Sequence, residues 1–407
     1  MPQNEIYRPN QSELDRAVLS RRSILRIGGF GALALGAAPL LAACGSSGSK
    51  AGSGSTSAAS TSAGSSAASG GAGSVAAGTY GDATIQLSWI KNIEFAGEYF
   101  ADQKGYYKAA GFSNVSLTAG GSAGTSAESA VASGKAFVGL SAPNITAPAI
   151  LNGAKLKTVA STYQKNPFCI LSVAKNPIPD VQSMKGKKIG VQAGGNTTIF
   201  KGLLTANNIK LSDVTIVPVQ YDPTVVTTGE VDGYMAYITN EPILLQAKGF
   251  KTTTFLFADY GLSFVAETYV VSQDTIDKDR AKLKALLVAE IKGWTDAVAN
   301  PAQSATYAVT NYGKDQKLVQ DEQLAEATAQ NGLIVSPDSL KNGLFTISDD
   351  LIAANIKALG LTGVNITADQ LFDMSILTEV YKENPGLITA FATAGASAAP
   401  SASASSS

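Results

Sequence analysis

The chain has 407 residues, with 31 lysines and arginines against 32 aspartates and glutamates and not one histidine. A formal net charge of −1 without a basic face argues against a nucleic-acid partner. The missing imidazole removes the usual general base and the commonest metal ligand, which shifts expectation away from hydrolases and metalloenzymes.

Ser20-Arg21-Arg22-Ser23-Ile24-Leu25-Arg26 matches the twin-arginine export pattern. The apolar run Ile27 to Leu41 is too short and too rich in Gly and Ala to span a bilayer, so it reads as a signal h-region. Leu41-Ala42-Ala43-Cys44 has the small-residue spacing of a lipoprotein cleavage site. Residues 1–43 are therefore expected to be a twin-arginine lipoprotein signal peptide. Cys44 would be the lipidated first residue of a mature protein held at the cell membrane, on its extracytoplasmic face.

Between Cys44 and Thr79 the composition is Gly, Ser, Ala and Thr, with Lys50 and Val75 the only larger side chains. Such a segment cannot bury enough apolar surface to offset its ordering entropy, so 44–79 predicts a disordered tether with a reach on the order of 30 Å. Residues 391–407 have a similar bias and predict a disordered tail. The intervening stretch, about 310 positions, exceeds what one hydrophobic core usually fills and suggests two lobes. Cys169, in the apolar run Phe168-Cys169-Ile170-Leu171, reads as a buried inert thiol. After Arg26 the only arginine is Arg280, so a bidentate arginine clamp for sulfonate, phosphate or carboxylate has almost nothing to be built from.

Thr84 to Trp89 predicts a strand, and Glu94 to Ala110 one amphipathic helix stopped by Gly111. Strands follow at Asn114 to Leu117 and Ala136 to Leu140, with a short helix over Ser126 to Ser133 between them. A second series starts at Gly186 to Val191, continues through a helix from Ile199 to Asn207 and a strand from Val214 to Val219, and reaches a short helix near Thr224 to Thr228. Strand–helix–strand repetition argues for parallel α/β sheets. The series echo each other: Ala130 to Gly139 has the layout of Val225 to Tyr234, and each leads to an asparagine near a proline, Pro143-Asn144 and Asn240-Glu241-Pro242. Ligands of such sheets bind outside the carboxyl ends of the strands, so two facing lobes would gather four loops around one cleft.

Trp89-Ile90-Lys91-Asn92-Ile93-Glu94-Phe95-Ala96-Gly97 and Asp102-Gln103-Lys104-Gly105-Tyr106-Tyr107 resemble the opening of the periplasmic binding proteins for thiamine-pyrimidine precursors, whose relatives bind riboflavin, nitrate, sulfonates or taurine. The resemblance continues through Gly186 to Gln192, Gly229 to Gly233 and Asn240-Glu241-Pro242, and covers roughly 84–385. It implies an α/β, two-lobed periplasmic-binding-protein (type II) fold, with hinged lobes and mixed, mostly parallel sheets. Lobe 1 would be 80–173 plus 268–390, and lobe 2 would be 174–267. The implied partners are a small-molecule ligand and an ABC transporter permease, with the protein itself a monomer and no cofactor or metal.

Each cleft candidate has a plain structural alternative. Trp89 is a stacking platform for a flat ring or a core tryptophan. Asn92 and Glu94 open the first helix, where Asn92 contacts ligand or serves as the N-cap. Ser141 and Asn144 follow the third strand. Gly194, Gly195, Asn196 and Thr197 precede a helix, as a backbone cradle for a ligand oxygen or as an ordinary turn. Asn240 and Glu241 would hydrogen-bond a heterocycle, unless Glu241 merely caps the next helix. Gln164 and Tyr237 are packing residues or contacts. The expectation is a lipid-anchored solute-binding protein for a flat nitrogen heterocycle, a pyrimidine precursor of thiamine or riboflavin, with nitrate, sulfonate or taurine as the alternative. The enzyme of this superfamily that consumes its own histidine cannot be this chain, and no catalytic residue is expected.

Overall fold

A computed structural model describes Ala76, residues 78–121 and residues 124–398. The signal segment, Cys44, the tether up to residue 75 and the tail after residue 398 lie outside the described residues. Among those described, no helix is long and apolar enough to cross a membrane.

Two five-stranded sheets organise the chain. The first takes its strands in the order β2 (Phe112–Thr118), β1 (Gly81–Gln86), β3 (Val138–Ser141), β10 (Ala266–Ser272), β4 (Leu156–Tyr163). The second runs β7 (Thr215–Val219), β6 (Lys188–Gln192), β8 (Gly233–Tyr237), β5 (Phe168–Val173), β9 (Thr252–Leu256). In both, three parallel strands meet one antiparallel strand, β10 or β5, which is then flanked by an outer strand. The pseudo-repeat seen in the sequence is thus a repeat of sheet topology, and the sheets are mixed, as the resemblance implies.

Sheet membership moves the first lobe boundary. Phe168–Val173, expected in the first lobe, pairs with β8 and β9 of the second. The chain therefore crosses at residues 164–167, not after 173. It recrosses between Tyr260 and Ala266, within a few residues of the expected place. Continuous apolar runs explain the error: β4 and β5 are both fully or almost fully buried, so nothing in their patterning says which sheet each joins. Helix Asp349–Leu361 also departs from a simple assignment to lobe 1. Its Ala358 joins the apolar cluster of the second lobe, and its Asn355 Oδ1 accepts from the Val265 N–H at the recrossing.

The first lobe's core is centred on helix Arg280–Ala299, which crosses helix Ala96–Gln103 at close range. A Cβ on Gly97 would lie 2.1 Å from the Trp294 indole, so only glycine lets the two helices meet there. The single helix expected from Glu94 to Ala110 is broken: Gly105 adopts φ +70, and a separate turn, Tyr106–Ala109, follows. Helix Gly195–Ala206 begins a turn earlier than expected. The expected tail starts too soon, because helix Gly386–Ala398 continues past residue 391 and buries Phe391 completely.

Candidate functional site

A cavity of about 350 Å³ opens between the carboxyl ends of the two sheets. All four loops singled out by the pseudo-repeat reach it: Ser88 to Glu94, the turn at Asn144, Gln192 to Asn196, and Tyr237 to Glu241.

The first-lobe wall begins where β1 ends. Ser88 and Trp89 continue the strand into a loop that the glycine-rich segment after β2 holds in place, since Gly120 donates to the Trp89 carbonyl at 2.9 Å. Trp89 reaches across the cleft mouth to Tyr221 of the second lobe, with ring centroids 5.2 Å apart and planes tilted by 53°. Tyr221 is 46% exposed. Further along, Asn92 Oδ1 accepts from the Glu94 N–H, so Asn92 is an N-cap and its side chain does not line the cavity. The turn is pinned from behind, where Gln323 Oε1 accepts from the Ile93 N–H and Gln330 Nε2 donates to the Ile93 carbonyl. That turn presents Glu94 to the cavity, 7% exposed, with Oε2 buried and without a hydrogen-bond partner. Burial, and secondarily the nearby Glu241, push its carboxyl up to about 7 against the pull of Asn92.

Ser141 and Asn144 also line the cavity. Ser141 Oγ donates to Glu128, as does Thr146 Oγ1, and Asn144 Oδ1 is buried without a partner. From the second lobe come Phe168, Gln192, Asn196, Tyr221, Met235, Tyr237, Asn240 and Glu241. The Glu241 carboxylate accepts from the Tyr237 N–H at 2.8 Å, while burial lifts its pKa to about 7. Asn240 caps the same helix through its backbone alone, so its side chain is not spent on the helix. Tyr237 packs edge-on against Phe168 at 4.7 Å.

Four of the other expected residues stand apart from the wall. Gln164 donates to the Ser161 carbonyl, Thr197 Oγ1 donates to the Gln192 carbonyl, and Gly194 and Gly195 do not line the cavity. Of the expected backbone cradle only Asn196 remains, and its amide donates to Gln192 Oε1. The cause is local: the helix starts at Gly195 and leaves no loop to wrap a ligand.

The least anticipated wall residue is Glu267, near the start of β10. It has φ +48, a left-handed backbone that favours glycine, and its Oε2 accepts from Ser88 Oγ at 2.8 Å. Burial, Glu94 and Glu98 together hold its carboxyl well above the usual range, against the lowering hydrogen bond from Ser88. A lone acid inside Ala266-Glu267-Thr268-Tyr269-Val270-Val271 was the signal available for it. Behind this wall lies a second acidic group: Tyr269 Oη donates to Glu98 Oε1 at 2.7 Å, and Tyr107 Oη to Glu290 Oε1 at 2.6 Å. Burial lifts Glu98 to about 7.

The wall therefore holds Glu94, Glu128, Glu241 and Glu267, the rings of Trp89, Phe168, Tyr221 and Tyr237, and no lysine or arginine among its described residues. No three acidic side chains among the described residues stand close enough to share a metal ion.

Riboflavin-binding protein RibY of Chloroflexus aurantiacus is 28% identical over 237 residues, which cover 56% of this chain and 65% of that protein. Among solved structures, the periplasmic nitrate-binding protein NrtA of Synechocystis PCC 6803 superposes with a TM-score of 0.57 at 13% identity, covering 75% of this chain and 90% of its own. The desulfurization enzyme DSZB superposes with a TM-score of 0.51 at 13% identity, covering 74% and 99%. These likenesses establish the two-lobed periplasmic-binding-protein fold, which houses both binding and catalysis. The family described as NMT1/THI5 like matches residues 92–304, and the chain belongs to that family.

Proposed function

We propose that the protein is the lipid-anchored solute-binding component of an ABC importer, and that its cleft captures a flat nitrogen heterocycle for delivery to a membrane permease. One observation carries the reading: the described residues of the cleft wall combine four glutamates and four aromatic rings with no basic side chain. An anion such as nitrate, taurine or an alkanesulfonate would shed its water against carboxyl groups and find no counter-charge, which is costly in a partly buried site. A ring with N–H or O–H groups would instead offer donors to acceptors already in place, and Trp89 and Tyr221 supply faces for it.

Between the two heterocycles expected from sequence, riboflavin now comes first. A cavity of about 350 Å³ suits a tricyclic ring with a polar chain better than one pyrimidine, and RibY is a riboflavin-binding relative. The fold's catalytic example gives no foothold here, because the wall serines Ser88 and Ser141 pair with glutamates, Ser126 pairs with Ser129, and the chain has no imidazole to activate a hydroxyl. Thermal unfolding with each ligand is the test. Riboflavin or an aminopyrimidine at a hundredfold excess over its dissociation constant should add about 2.7 kcal/mol of stability. Stabilisation by nitrate or sulfonates alone would overturn this reading.

A further inference from the structure

We propose that Glu94 meets its ligand as a carboxylic acid, giving its O–H to an acceptor on the ring edge and taking the neighbouring N–H on its carbonyl oxygen. The proposal rests on the heterocycle reading above and deepens it. It fixes the ligand's contact edge as a donor beside an acceptor, found both in a cyclic imide and in an aminopyrimidine.

Geometry leads to this state. Glu94 is more than nine-tenths buried, and its Oε2 has no partner. The ionisable groups facing it are Glu241 from the second lobe, Glu267 from β10, Glu326 from helix Gln320–Ile334, and the phenols of Tyr99, Tyr163 and Tyr237. None of these is a cation. The amide beside it, Asn92, spends its oxygen on the Glu94 backbone N–H and pulls the carboxyl down, by less than burial pushes it up. A buried carboxylate in acidic company, with no cationic side chain among the groups facing it, is relieved most cheaply by taking up a proton. Burial raises Glu241 as well, but a backbone N–H already donates to its Oε2, so that oxygen is partnered where Glu94 Oε2 is not.

A protonated carboxyl and a glutamine amide present the same pair, one donor beside one acceptor. Glu94→Gln is therefore the diagnostic variant. Full-length wild type and Glu94→Gln would be titrated with riboflavin and with 4-amino-2-methylpyrimidine between about pH 5.5 and about pH 8.5, by calorimetry and by flavin fluorescence. Wild-type affinity should be constant at the acid end and then weaken by up to about tenfold per pH unit above about pH 7. Glu94→Gln should bind within about threefold of the wild type's acid-side affinity at every pH. Riboflavin methylated on the imide nitrogen should bind wild type at least about tenfold more weakly at all pH values.

Wild-type binding that is flat or strengthens with pH would overturn the proposal and leave the heterocycle reading standing. So would Glu94→Gln binding that is lost at acid pH, as expected if a carboxylate held a cationic ring. Absence of binding by both heterocycles at every pH would bring down both. The wild-type pH profile and the methylated ligand test the proposal even if the variant folds poorly.

Discussion

Raising the pH from about 5 to about 8 should destabilise the empty protein. Burial lifts Glu94, Glu98 and Glu241 from 4.5 to about 7, and Glu326 to about 8. In the unfolded chain each of these carboxyls ionises near 4.5, whereas the folded protein keeps the proton to higher pH. Between those values the folded state binds more protons, so its stability is present at acid pH and lost as the pH rises. One group displaced by about 2.5 units costs about 3 kcal/mol once both states are ionised. Four independent groups would approach the entire stability of a domain, so shared protons and local relaxation must hold the sum well below that. For about 310 folded residues, about 3 kcal/mol corresponds to a fall of about 5 °C in melting temperature. The opposite case, Glu379, does not interfere: Arg280 and Lys284 pull its pKa to about 2, so its contribution is constant across this window. Calorimetric melts at the two pH values decide the matter. Glu98→Gln should recover part of the loss at pH 8 while changing little at pH 5. A melting temperature equal or higher at pH 8 than at pH 5 would refute the argument.

Four further outcomes are expected. Gly97→Ala should cost about 1–3 kcal/mol or more, read from denaturant unfolding, because its methyl would collide with the Trp294 indole. Trp89→Phe should remove most of any ligand-induced change in tryptophan fluorescence, since Trp294 is buried in the core and away from the cavity; a preserved signal would place the ligand elsewhere. Glu241→Gln should weaken a hydrogen-bond-donating ligand by about 1.5–3 kcal/mol in calorimetry above about pH 7, where the carboxylate is ionised. Cys44→Ser should shift the exported protein from the membrane to the soluble fraction on blotting, and retention at the membrane would rule out a lipid tether.

Most of the architecture could be read from local pattern. The two series of strands and helices, the glycine stops and the asparagine–proline turns repeat in sequence because they repeat in topology. The same logic found Trp89, Glu94, Ser141, Asn144, Asn196, Tyr237, Asn240 and Glu241, all of which line the cavity. Asn92 was ambiguous for a physical reason, because a helix cap and a ligand contact ask for the same short polar side chain. Tyr221 and Thr125, which also line the cavity, sit on loops without periodicity, where pattern carries no information about direction. Glu267 reaches the wall through the recrossing strand, a contact made by residues about 180 positions apart at Ser88. Such pairings follow from the closure of the chain and not from any local signal.

The placement of β10 also sets an order of events during synthesis. All five strands of the second sheet lie between Phe168 and Leu256, so that lobe has every strand in hand before Ala266 is made. In the first sheet, β4 pairs with no strand except β10. At about 5–20 residues per second, the roughly 100 residues separating them delay that pairing by about 5–20 s. Throughout that interval β4 and one edge of β3 are open to wrong partners. The part of the chain made first is thus the part completed last, and the nascent first lobe is where a chaperone would be needed.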